Sequence, residues 1–139
     1  MYYQKDGDNY TLRLEIGEDI CTAILGFCRE QNVLFAEISG IGAVKSAAVG
    51  LFDPADKQYH KKELAGPLEM TSLLGSVTEK DGEPYLHLHA TFSDEECRCF
   101  GGHLNSAVIG VTGEIFLRVI NGTMGRRLNP ENGLFIFDI

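Results

Sequence analysis

The chain has 139 residues, of which 44% are apolar and 23% charged. That balance excludes a disordered polar chain and fits one domain over 1–139, long enough to bury roughly 68% of the surface it would expose unfolded. The 12 basic and 20 acidic residues leave a net charge of -8, which disfavours a bare electrostatic DNA binder without excluding a local basic patch.

No apolar run reaches the roughly 18 residues that span a bilayer. The first residues, Met1 to Asp8, are polar and carry no signal-peptide core, so the expected location is cytoplasmic, with no membrane partner. The four cysteines, Cys21, Cys28, Cys97 and Cys99, form no CxxC pair. They are expected to be free thiols rather than disulfides or a four-cysteine zinc site.

Taken in chain order, Asn9 to Ile16 alternates Tyr10, Leu12, Leu14 and Ile16 with polar residues, the pattern of a strand with one buried face. Glu18 and Asp19 favour a helix start. Ile20, Ala23, Ile24, Phe27 and Cys28 then form an amphipathic stripe, so the main helix is predicted over about 17–31. Cys21 and Cys28 read as packing residues near that stripe.

Val33 to Ile38 reads as a strand broken by Ser39-Gly40-Ile41-Gly42, and Ala43 to Phe52 as its resumption. The Gly-x-Gly lacks the third glycine and following helix of a dinucleotide site, so it reads as a bend. Asp53 to Asp56 is a turn. Gln58 to Leu64 is a charged edge strand, with His60 solvated. Leu68 to Val77, Pro84 to Phe92, Cys97 to Leu104, Ala107 to Ile120 and Leu134 to Phe137 complete about eight strands, with Asp81-Gly82 a hairpin signal and Arg126 to Pro130 irregular. The fold class is α+β, a largely antiparallel sheet with one main helix.

Three of the four histidines, His87, His89 and His103, fall within 17 residues. On a strand, His87-Leu88-His89 puts both imidazoles on one face, roughly 6.6–6.8 Å apart at the backbone. Two such rings can converge on an ion at about 2.0–2.1 Å per bond, a geometry suited to zinc, and His103 could supply a third ligand. The plainer reading is sheet histidines hydrogen-bonded to neighbours.

Register decides whether His103 joins them. A four-residue loop over Ser93 to Glu96 turns His103 to the wrong side. A bulge at Gly101-Gly102 would return it to the histidine face beside His87, and this is the preferred solution. An odd-length loop is the other, and it would also bring Cys97 and Cys99 to the histidine face. Three histidines leave an open position on a tetrahedral ion, where water could be activated or a carbonyl polarised.

Leu68 to Val77, then Asp81-Gly82, His87-Leu88-His89, Gly101-Gly102-His103-Leu104 and Glu114 resemble the plants and prokaryotes conserved (PPC) domain, as do Ser39 to Ala43 and Gly125 to Leu128. The resemblance covers nearly the whole chain and is to the stand-alone prokaryotic type. It implies an α+β fold similar to acetolactate decarboxylase, assembly as a homotrimer, and a divalent metal, expected to be zinc, on His87, His89 and His103. An oxygen-rich ligand such as a carboxylate would suit the open position.

Glu114 and Arg118 are expected near the site as pocket residues, with Glu114 serving in a salt bridge or trimer contact rather than as a metal ligand. The family's plant members bind DNA through attached AT-hooks, and this gives the alternative function of a DNA-associated regulatory protein. No Arg-Gly-Arg hook occurs in this chain, and the residues assign no reaction.

Overall fold

The computed structural model describes residues 1–139. Its elements are β1 (Tyr2–Asp6), β2 (Asn9–Leu14), α1 (Ile20–Glu30), β3 (Ala36–Asp53), β4 (Gln58–Lys80), β5 (Glu83–Ser93), β6 (Cys99–Val119), β7 (Arg126–Leu128) and β8 (Phe135–Phe137). The paired strands all run antiparallel, and the expected α+β architecture holds.

Alternation builds β2, whose Tyr10, Leu12 and Leu14 are buried while the residues between them are exposed. In α1 the apolar stripe buries Ile20, Ile24, Phe27 and Cys28. Asp19 caps the helix: its carboxylate accepts the Thr22 N–H at 2.9 Å, and its second oxygen accepts the Ala107 N–H at 3.0 Å. One side chain therefore starts the helix and fastens it to β6. Burial pushes the Cys21 and Cys28 thiols up to about 12, with Asp19 adding to the effect at Cys21, so both are inert packing groups.

The sheet order is β1-β2-β6-β3-β4-β5, and β5 pairs again with β6. That second pairing closes β3, β4, β5 and β6 into a ring around a core that includes Ile38, Met70, Leu73, Leu88 and Phe92. Closure is possible because three strands are long and bent. The expected break at Ser39 to Gly42 is instead a register shift between Gly40 and Gly42 inside one 18-residue strand. Bulges of this kind bend a strand without ending it. Likewise Gln58 to Leu64 and Leu68 to Val77 are the two arms of β4, and the two segments expected from Cys97 to Ile120 are one strand, β6.

Candidate metal centre

Leu86 and Leu88 face inward on β5, so Tyr85, His87 and His89 face outward. His103 stands on β6 directly opposite His89. The register runs without interruption through Phe92 opposite Phe100 and Ser93 opposite Cys99. The bulge expected at Gly101-Gly102 is therefore not there, and in register His103 pairs with His89 rather than with His87.

The physical reason lies in the turn. Five residues, Asp94 to Arg98, link the strands, with Cys97 in the left-handed region at φ 60°. The Asp94 carboxylate shapes this loop by accepting the N–H groups of Glu96 and Arg98. An odd loop supplies the change of face that the bulge was expected to supply. Cys99 consequently shares the outward side of β6 with His103, yet neither Cys99 nor Cys97 belongs to the metal-capable group.

The glycine pair has a different task. A Cβ on Gly101 would lie 2.2 Å from the Ala90 carbonyl oxygen, and one on Gly102 would lie 2.7 Å from that of Gly50. Both glycines permit the close backbone approach that closes the ring.

The three imidazoles form a near-equilateral cluster, with centroids 5.2, 5.1 and 5.5 Å apart. One ring nitrogen of each lies within 4.8 Å of the others. A tetrahedral ion with bonds near 2.0–2.1 Å needs nitrogens about 3.4 Å apart, which small side-chain rotations deliver. The donor set fits a borderline-soft divalent ion such as zinc. Burial, with the nearby charges of His103, Arg126 and His89, lowers the pKa of His87 to about 4. Burial and His89 lower that of His103. His87 and His103 are thus held in the neutral, ligand form at neutral pH.

The cluster sits in a cleft of about 820 Å³. Tyr59 forms one wall: its hydroxyl donates to Asn105 Oδ1 at 2.8 Å, and its ring meets His103 edge-on at 6.1 Å. It can lie there because Gly50 has no side chain; a Cβ would come 2.5 Å from the Tyr59 hydroxyl. The C-terminal hairpin of β7 and β8 forms the other wall. Arg126 holds it down, donating from Nε to Thr78 Oγ1 at 2.8 Å and from Nη1 to the Phe135 carbonyl at 3.1 Å, with its guanidinium 5.0 Å from the Tyr85 ring and 4.4 Å from the Phe137 ring.

Glu114 and Arg118 do not line this cleft. Both are exposed on the C-terminal half of β6, and Arg118 pairs with Glu37 at 3.6 Å. The row His87–Ser76–Glu37–Arg118 crosses four strands, so three inter-strand steps of about 4.8 Å separate Arg118 from the histidine strand. The last strand was expected, at Leu134 to Phe137, but not its place beside the histidines. The site residues that sequence reasoning passed over are Tyr59, Asn105 and Arg126. Their one visible signal was the Gly125-Arg126-Arg127-Leu128 stretch, which read as an irregular tail.

A closed antiparallel α+β domain with an outward three-histidine cluster defines a class of candidate metal-binding proteins. Residues 1–121 match the Plants and Prokaryotes Conserved (PCC) domain, and the chain belongs to that family. A crystal structure of a candidate DNA-binding protein from Bacteroides thetaiotaomicron is 31% identical with a TM-score of 0.96, covering 99% of this chain and 96% of that one. A metal-containing protein from Archaeoglobus fulgidus is 37% identical with a TM-score of 0.87, covering 99% and 98%.

Among curated proteins, the bifunctional protein GlmU of Synechococcus is 33% identical over 127 residues, 89% of this chain; the chain spans only 19% of that relative's length. α-Acetolactate decarboxylase from Bacillus subtilis, 16% identical with a TM-score of 0.61, covers 93% of this chain and 60% of its own and shares the fold alone.

Proposed function

We propose that the chain is a cytoplasmic homotrimer that holds one zinc ion per subunit on His87, His89 and His103 and uses the ion's open position to bind or convert a small molecule. The observation that carries this reading is the convergence of three ring nitrogens within 4.8 Å at the mouth of a cleft. Bound there, zinc would supply Lewis acidity to an oxygen ligand. The residues of the chain would hold His87 and His103 neutral by burial, wall the cleft with aromatic side chains and leave one side open.

Trimer formation is supported by an exposed apolar strip. His89, Leu74, Ser39 and Phe116 follow one another across β5, β4, β3 and β6, and Leu74, Phe116 and the nearby Ile41 are 55%, 52% and 57% exposed. Covering such a strip in an oligomer removes apolar area from water. Glu114 and Arg118 flank the strip, where they would serve as subunit contacts.

Metal analysis and sedimentation velocity test the proposal together. Protein purified without chelators is expected to carry about one zinc per chain and to sediment as a trimer. His89→Ala should lose the metal while remaining folded. A metal-free wild type, or equal metal in the variant, would contradict the zinc site; a monomer would contradict the assembly.

A second reading, DNA association, draws on the name of the Bacteroides thetaiotaomicron relative. Against it stand the net charge of -8 and the engagement of Arg126 within the cleft and of Arg127 with Asp138 at 3.5 Å.

A further inference from the structure

The three-histidine cleft has an unusual charge balance. None of its 15 lining residues is Asp or Glu, although the chain carries 20 acidic residues. Its one permanently charged member is Arg126, which is half-buried. The partners of that guanidinium are all uncharged: Thr78 Oγ1, the Phe135 carbonyl and, at 3.5 Å, Ser76 Oγ. These contacts engage three of its five N–H groups and leave two free. No salt bridge pairs Arg126 with a carboxylate; the neighbouring Arg127 pairs with Asp138 at 3.5 Å.

With three neutral imidazoles and a divalent ion, the cleft would gather about +3 with no protein carboxylate to offset it. Concentrated charge away from bulk water is costly unless an opposite charge meets it. No residue lining the cleft within one chain supplies the opposite charge, which points to an anionic ligand. The remaining wall is apolar, with Leu134, Phe135 and Phe137 of the C-terminal hairpin 41%, 37% and 41% exposed. A cleft of about 820 Å³ lies within the usual range for small organic ligands.

We propose that the cleft takes a small organic carboxylate, recognised jointly by the bound metal and the free N–H groups of Arg126, with an apolar substituent lying against Leu134, Phe135 and Phe137. This rests on the metal reading above and narrows its ligand to an anion with an apolar part. Arg126 then has two roles: it fastens the hairpin through its protein contacts and selects charge in the ligand. Guanidinium suits the second role because its planar fork matches a carboxylate.

Calorimetric titration of zinc-loaded protein, with occupancy measured first, separates the terms. Hexanoate is expected to bind at least about 10-fold more tightly than hexanamide, the neutral analogue, and than acetate, which lacks the apolar part. Arg126→Gln should remove most of the preference for hexanoate over hexanamide, and Arg126→Lys should retain part of it. Because Arg126 also holds the hairpin, the ratio between the two ligands is the deciding readout; a purely structural role would weaken both alike.

Equal binding of hexanoate and hexanamide by the wild type, or an undiminished ratio in folded Arg126→Gln, would overturn the assignment of Arg126. Equal binding of acetate and hexanoate would overturn the apolar subsite. Failure of the wild type to take up zinc would instead overturn the metal reading. The Arg126 assignment would then be decided by the same titrations on metal-free protein, where a preference for hexanoate lost in Arg126→Gln sustains it and its absence ends it.

Discussion

His87 and His89 lie two residues apart on one strand, yet their surroundings differ. His89 is exposed, whereas His87 is half-buried with Arg126 nearby and its pKa lowered to about 4. In an unfolded chain a histidine titrates near 6.5. Between these values the unfolded chain binds more protons than the folded one, so stability rises with pH across that window. Metal-free protein should therefore lose stability as the pH falls from about 6.5 to 4. His87 contributes on the order of 1–2 kcal/mol, since its partial exposure screens the full effect. Urea unfolding midpoints measured across this range should flatten in His87→Gln. An identical pH profile in that variant would show that the strain of charging His87 lies elsewhere.

At this scale the sequence was informative about which histidines share a face and silent about their surroundings. His-x-His names a face because strand alternation is local. Arg126, Tyr59 and Asn105 reach the cleft from separate elements through tertiary packing, and no spacing announces that.

At the scale of elements, α1 was legible because its apolar stripe and its Asp19 cap are both local. Strand β1 was not, because all five of its residues are exposed and leave no alternation to read. Its ring of contacts is tertiary: Tyr3 meets Phe27 edge-on at 5.1 Å. The β5–β6 hairpin shows a subtler limit. The face reached by His103 depended on one residue of loop length, and the left-handed Cys97 that makes the loop odd is not a residue type that signals such a conformation.

Glycine therefore carries a closure role that substitution can test. Gly101→Ala forces a methyl against the Ala90 carbonyl and should cost about 1–3 kcal/mol. Gly26→Ala, on the exposed face of α1 with open space around it, should stabilise by up to about 1 kcal/mol. Thermal melts of the two variants should move in opposite directions. Destabilisation by Gly26→Ala, or none by Gly101→Ala, would contradict the packing described.

At the scale of the whole molecule, antiparallel α+β architecture followed from one helical period among many strand periods, but ring closure did not. Closure depends on β5 pairing with both β4 and β6, a non-local event. Charge shows the same division between local and global. The total of -8 is plain from composition, whereas a histidine cleft free of carboxylates exists only once the chain has folded. With the proposed metal bound, the cleft of this acidic protein would be locally cationic and suited to a small anion rather than to a polyanionic duplex. DNA binding, if it dominated, would weaken steeply with log salt; the balance here predicts no such slope.

The metal centre is the claim on which the rest depends. Its most direct test is a crystal structure of zinc-loaded protein with anomalous data collected at the zinc edge. One peak per chain is expected, roughly 2.0–2.1 Å from a ring nitrogen of each of His87, His89 and His103, with a non-protein oxygen completing the tetrahedron. No peak at this cluster, or a fourth ligand drawn from the protein itself, would contradict an open three-histidine site.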